Sequence, residues 1–224
     1  MRSKDIIRCG TKRYLKGEKV MITLKIKVTF DEEVLGTASA NPDIHHDYIA
    51  SKAPSEEKTN EEVDAIFDPE EEFKKDMTVF PRNDEGQPIA WDYQWKGYFK
   101  DAFGSLKKVP KSECGKIKAY KKEIDGLIFP TPRKIPYILP EGTEVGICQR
   151  PLRGQTAQGE RIALASSETL PEGTTMIFDI KMLLDSHEKA VIEALNYGQL
   201  RGFGQWRNSG KGRFHYEILD RKAE

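Results

Sequence analysis

At 224 residues the chain is long enough to bury a core without staples, and Cys9, Cys114 and Cys148 are too scattered for a disulfide framework or a zinc knuckle. No stretch approaches the roughly 20 apolar residues that cross a bilayer, and the basic start lacks a signal peptide's apolar run, so the expected location is the cytoplasm, with no membrane partner. Lys plus Arg and Asp plus Glu both number 36, which excludes a uniformly basic protein. The neutrality is nonetheless a sum of opposed blocks: nine basic against two acidic side chains over residues 1–27, four against fifteen over 28–76, and nine against two over 93–122. Such segregation creates a local positive field for phosphate.

In chain order, Ile22, Leu24, Ile26, Val28 and Phe30 alternate with Thr23, Lys25, Lys27 and Thr29, which predicts a half-buried strand. The small residues from Leu35 to Asp43 read as a loop leaving it. An acidic insertion is expected at about 51–75, with a short helix around 60–67. Trp95, Phe99, Ala102, Phe103 and Leu106 recur at helical spacing, predicting a helix over about 93–107 with Asp92 as cap and a basic stripe of Lys96, Lys100 and Lys107. Gly97 within it suggests that something approaches the helix backbone closely. From Lys116 to Leu184 the chain reads as strands and turns, at 126–132, 144–150, 161–168 and 175–183, with a polar hairpin tip at 151–159. A second helix is predicted over 186–197, with Asp185 and Glu188 as a capping box and Gly198 just past its end. A final strand alternates Phe214, Tyr216 and Ile218 against Arg213, His215 and Glu217. The expected fold is one α+β domain over 1–224, a ferredoxin-like or RRM-like sandwich in which an antiparallel sheet carries two helices on one face.

The most specific feature runs from Gly198 to Phe214, between the second helix and the last strand. Glycines permit positive φ and close approach of backbone N–H groups to an anion, Arg201, Arg207, Lys211 and Arg213 supply charge, and Trp206 offers a stacking plane. A dinucleotide fingerprint is excluded, because the loop follows a helix and enters a strand. Gly202-Phe203-Gly204-Gln205-Trp206-Arg207-Asn208-Ser209-Gly210-Lys211-Gly212 resembles the terminal G-x-G-x-x-R-x-x-G-x-G motif of the RAMP superfamily, RRM-like proteins of CRISPR effector complexes. Tyr93 to Lys100 is similar to that family's S-S-L-K-G-x-x-R segment, with Lys96 and Gly97 in the matching places. Glu168-Thr169-Leu170-Pro171-Glu172-Gly173-Thr174 looks like its E-x-x-P-x-G-T strand entry. Trp91 to Gln94 departs from the family's Pro-Gly-Ser-Ser.

The resemblance implies a non-catalytic binder of guide RNA or another single strand, RNA or DNA. Its expected contacts are Lys25, Lys27, Lys96, Lys100, Arg153, Arg201, Gly202, Gly204, Trp206, Arg207, Asn208, Gly210, Lys211 and Arg213. Copies of itself in a filament, or other effector-complex subunits, are the expected protein partners, and no cofactor or metal is expected. Two alternatives stand beside it: a metal-dependent endoribonuclease using Asp43 or Asp47, in the cluster with His45 and His46, and a stand-alone phage binder or anti-defence protein.

Overall fold

The computed structural model describes residues 21–40, 77–156 and 159–223, with the side chains of 152–156 and 160–163 left aside. The expected acidic insertion, the Asp43-to-Asp47 cluster and the short helix at 60–67 lie outside the described residues. In order, the strands are β1 (Ile22–Phe30), β2 (Val34–Leu35), β3 (Ala38–Ser39), β4 (Met77–Val79), β5 (Ile89–Trp91), β6 (Ile128–Thr131), β7 (Lys134–Pro136), β8 (Gly146–Thr156), β9 (Gly159–Leu170), β10 (Thr175–Met182) and β11 (Phe214–Ala223). Helix α1 (Asp92–Leu106) precedes β6 after a gap that holds α2 (Tyr120–Leu127), and α3 (Ser186–Arg201) joins β10 to β11.

Strands β11, β1, β10 and β6 form one antiparallel sheet in that order. Counted along the split β-α-β-β-α-β pattern, this order is fourth, first, third, second, the ferredoxin-like arrangement that the sequence predicts. Ile22, Leu24, Ile26, Val28 and Phe30 all face the core, as the alternation requires, and so do Met176, Phe178, Ile180 and Met182 of β10. Trp95, Tyr98, Phe99, Ala102 and Phe103 of α1 and Ala190, Val191, Ala194 and Leu195 of α3 cover that face. Each buried large apolar side chain contributes about 1.5–3 kcal/mol relative to exposure. The open face of β1 carries Lys25 and Lys27, aligned with Asp179 and Asp220 in one row and Glu217 in the next.

The long insertion between β6 and β10 builds a second sheet, in which β9 is bordered on one edge by β8 and on the other by β2 and, in parallel, β4. Its strands run further toward the hairpin tip than the turn residues suggest: Thr156 pairs with Gly159. Glu168, almost fully buried, fixes this sheet by accepting from the Phe80 N–H at 2.8 Å and from both terminal nitrogens of Arg82, at 2.8 and 3.3 Å. Pro171 to Thr174 then turn the chain back onto β1: the Gly173 N–H donates to the Phe30 carbonyl at 2.8 Å and the Phe30 N–H to the Thr174 carbonyl at 2.9 Å. The E-x-x-P-x-G-T segment is therefore a joint between sheets.

Four local expectations are corrected. The segment read as strands and turns holds helix α2, whose short length and single core residue, Ile124, leave little periodicity to detect. Helix α3 continues past Gly198 to Arg201, because Gly198 packs under the Phe214 ring and the helix stops at Gly202, φ 75°. No side-chain capping bond forms at Asp185, whose own backbone is already helical (φ −57°, ψ −34°), and the Glu188 carboxylate is drawn to Arg221, Nη2 at 2.8 Å; that bond holds its acid below the ordinary carboxylate range, against the opposing effect of burial. Helix α1 begins one residue earlier than expected, with Asp92 inside it and the Gln94 carboxamide accepting the Trp91 N–H at 2.9 Å.

Candidate nucleic-acid interface

The glycine-rich loop is anchored at both ends. At its start the Gly202 N–H donates to Gly198, and at its neck the Phe203 N–H donates to the Gly212 carbonyl at 2.8 Å. The Gly212 N–H continues to the Glu33 carbonyl at 2.8 Å, and the Asp31 N–H donates to Arg213, so the loop extends the β1–β11 ladder. Phe203 fills the space under the loop, stacked on Trp95 with ring centroids 4.5 Å apart. Several glycines serve this closure directly. A Cβ on Gly212 would collide with the Phe203 carbonyl oxygen, and one on Gly202 would lie 2.5 Å from the Lys211 carbonyl oxygen. A Cβ on Gly204 would approach the Leu35 carbonyl at 3.3 Å, whereas one on Gly210 would meet only the Arg213 guanidinium.

Trp206 adopts a left-handed conformation, φ 52° and ψ 33°, and is followed by the 3-10 turn Arg207–Ser209. A left-handed residue followed by a right-handed one turns successive N–H groups toward one concavity, a nest suited to anions. Among the described residues, the N–H groups of Gly204, Gln205, Trp206, Arg207 and Asn208 find no acceptor. The Trp206 indole is 40% exposed, and the Arg150 guanidinium of β8 lies over it at 4.8 Å. Arg150 also donates to the Gln205 carboxamide at 3.3 Å, and Gln205 donates to the Gly36 carbonyl at 2.8 Å. Next to Gly36, the Thr37 hydroxyl accepts from Gln94 at 2.8 Å, linking the rim to the start of α1.

The loop cations are held by the scaffold. Asp101 of α1 accepts from Arg201 and from Arg207, both at 2.9 Å, and Arg201 also donates to Asn208 at 3.0 Å. Lys211 donates to Glu33 at 2.7 Å, which keeps its ammonium protonated above the ordinary range despite some burial. Arg213 is exposed and has no carboxylate partner among the described residues.

Of the residues singled out by sequence, Arg201, Gly202, Gly204, Trp206, Arg207, Asn208, Gly210, Lys211 and Arg213 come together in this loop, and Lys25 and Lys27 share the strand that it extends. Lys96 and Lys100 are elsewhere: they fold onto the C-terminal end of α2, Lys96 donating to the Asp125 carbonyl at 3.1 Å and Lys100 pairing with the Asp125 carboxylate at 2.6 Å. Burial lowers the Lys96 ammonium below its ordinary range. The free stripe expected on α1 is thus largely tied up within the chain. Nothing approaches the missing side chain of Gly97. Arg153 lies in β8, and its side chain is outside the described residues, as are Asp43 and Asp47. Sequence reading missed Arg150, Asp101 and Glu33, whose partners lie far along the chain.

The strand order and the anchored loop allow comparison with solved structures. The fold is shared with a chain of the Type III-B Cmr-beta. That structure, obtained by cryo-EM, is bound to cognate target RNA. The two chains are 12% identical with a TM-score of 0.50, and the match covers 91% of this chain and 60% of the other, so this chain spans less than two thirds of its neighbour. It is one of 124 matching chains of solved structures. No family model matches the chain, and no curated protein matches its sequence. At this identity the likeness is one of fold, and it agrees with the RRM-like architecture implied by the RAMP resemblance. No helix among the described residues is long and apolar enough to cross a membrane.

Proposed function

We propose that this protein is a non-catalytic, CRISPR-associated binder of single-stranded RNA, which it holds by the sugar-phosphate backbone. The observation that carries the reading is the loop itself: unpartnered N–H groups from Gly204 to Asn208 beside exposed Arg213 and a half-exposed Trp206 backed by Arg150. Backbone donors and Arg recognise phosphate, and an indole with one face covered by a guanidinium offers the other to a base. The neighbour's bound RNA supports the choice of ligand. Arg201, Arg207 and Lys211 already have carboxylate partners, so their part is to shape the loop, neutralising Glu33 and leaving one net positive charge where two guanidiniums share Asp101.

Fluorescence anisotropy with single-stranded RNA, single-stranded DNA and duplex RNA tests the proposal across a salt series. Single-stranded RNA should bind best. Arg213→Ala should flatten the dependence of log affinity on log salt by about 0.7, the contribution of one phosphate on a single strand. Trp206→Ala should cost about 1–3 kcal/mol with little change in salt slope. Wild-type affinity in both folded variants would remove the loop from the binding surface.

A further inference from the structure

The basic block at 93–122 is only partly tied down, by Asp125 of α2. Its second half, the turn after α1 and the start of α2, exposes Lys107, Lys108, Lys111, Lys116, Lys118, Lys121 and Lys122 against one acidic side chain, Glu113, which pairs with Lys116 at 2.6 Å. Among the described residues, Lys108, Lys111, Lys118, Lys121 and Lys122 have no carboxylate within ion-pair distance.

We propose that this lysine platform, residues 107–122, is a second binding surface for the phosphodiester backbone of RNA, distinct from the glycine-rich loop. Three observations carry it. First, the cations are crowded: Lys118, Lys121 and Lys122 cluster at the start of α2, the positive end of the helix dipole, where the acidic residue of the first turn, Glu123, is engaged with His187 at 2.8 Å. Lys111 adds a left-handed backbone, φ 68°. Second, the platform is built on a fixed base. The Glu193 carboxylate of α3 accepts from the Ser112 hydroxyl and the Cys114 N–H, both at 2.9 Å, and buried Cys114 donates its thiol to the Ala190 carbonyl at 3.4 Å. Lysines on a pinned turn meet a polyanion with little ordering of backbone. Third, the platform continues from the loop. Asp101, which holds Arg201 and Arg207, lies in the last turns of α1, and the five residues to Leu106, after which the platform begins, rise about 8 Å.

Among polyanions, the chemistry favours nucleic acid. Val109 is the one large exposed apolar side chain in the segment, too little for a membrane interface, which needs an apolar face or aromatic anchors. Separate lysine point charges match regularly spaced phosphates. Only the choice of polyanion rests on the RNA-binding reading of the loop.

The test uses the full chain carrying Lys108→Gln, Lys111→Gln, Lys118→Gln and Lys121→Gln together, titrated with a short and a long single-stranded RNA. For the long RNA, affinity should fall at least tenfold and the salt slope by about 0.7 for each lysine that loses a phosphate. The short RNA, confined to the loop, should bind as to wild type, and the melting temperature should hold or rise as repulsion at α2 is relieved. Unchanged long-RNA affinity and slope in the folded variant would overturn the platform. So would lysine-dependent binding of polyglutamate or phosphatidylserine vesicles with none of RNA. Should the variant not fold, acetylation footprinting of the wild type decides: protection of these lysines by long RNA supports the platform, and equal labelling with and without RNA overturns it. If the platform variant loses affinity while Arg213→Ala and Trp206→Ala do not, the platform stands and the loop reading falls.

Discussion

Gly210 and Gly212 both take positive φ, at 91° and 71°, yet their replacement should have different consequences. At Gly210 an added methyl meets only the mobile end of Arg213, so Gly210→Ala should cost about 1–2 kcal/mol for the left-handed backbone alone. At Gly212 the methyl meets the Phe203 carbonyl at the neck of the loop, and Gly212→Ala must open the Phe203–Gly212 hydrogen bond as well. Its melting temperature should lie several degrees below that of Gly210→Ala; similar values would mean that the neck is not rigid. This distinction was hidden in the sequence. The glycine run announced a conformationally special loop, and it does turn tightly beside a cluster of cations. Which glycine admits a ligand and which admits only the protein depends on Phe203, Leu35 and Arg213, and none of these contacts has a local signature.

At the scale of elements, α1, α3 and the strands of the central sheet were legible because their apolar residues recur at one period over many residues. Helix α2 was not, and its absence from the sequence reading left Lys96 and Lys100 without Asp125, their real partner. The turn between α1 and α2 offers a direct measure of such long-range ties. Burial raises the Glu193 acid, but the Cys114 N–H and Ser112 hydroxyl outweigh it and hold the group below its ordinary value of 4.5. A carboxyl lowered by folding adds stability above that ordinary value and loses it as pH falls through the lower, folded one. Glu193→Gln should therefore cost about 1.5 kcal/mol at pH 7. The gap between variant and wild type in chemical denaturation should narrow toward pH 3; a gap independent of pH would show that Glu193 contributes as a neutral acceptor.

At the scale of the molecule, the second sheet is tied to the segment after β4 at Glu168, and the Arg82 guanidinium is the charge that makes this burial tolerable. Arg82→Ala should destabilise by roughly 1–3 kcal/mol, the range for leaving a buried acceptor short of its partner. Adding Glu168→Gln should restore part of the loss, and an additive double variant would uncouple the pair. The sequence showed Glu168 as part of a motif, but not this role, because Arg82 is drawn from a segment with no period of its own. The strand order has a further consequence, for the time course of folding. Among the described strands β1 comes first and pairs with β10 and β11, so the long segment from Asp31 to Thr174 must be synthesised before β1 can find either neighbour. Contacts so distant along the chain make folding slow. On the ribosome β1 waits with one face apolar and both edges open, and the glycine-rich loop, which leans on β1 through Glu33 and Asp31, is among the last parts to form. Capture of RNA by the loop would then report that β1, β10 and β11 have come together.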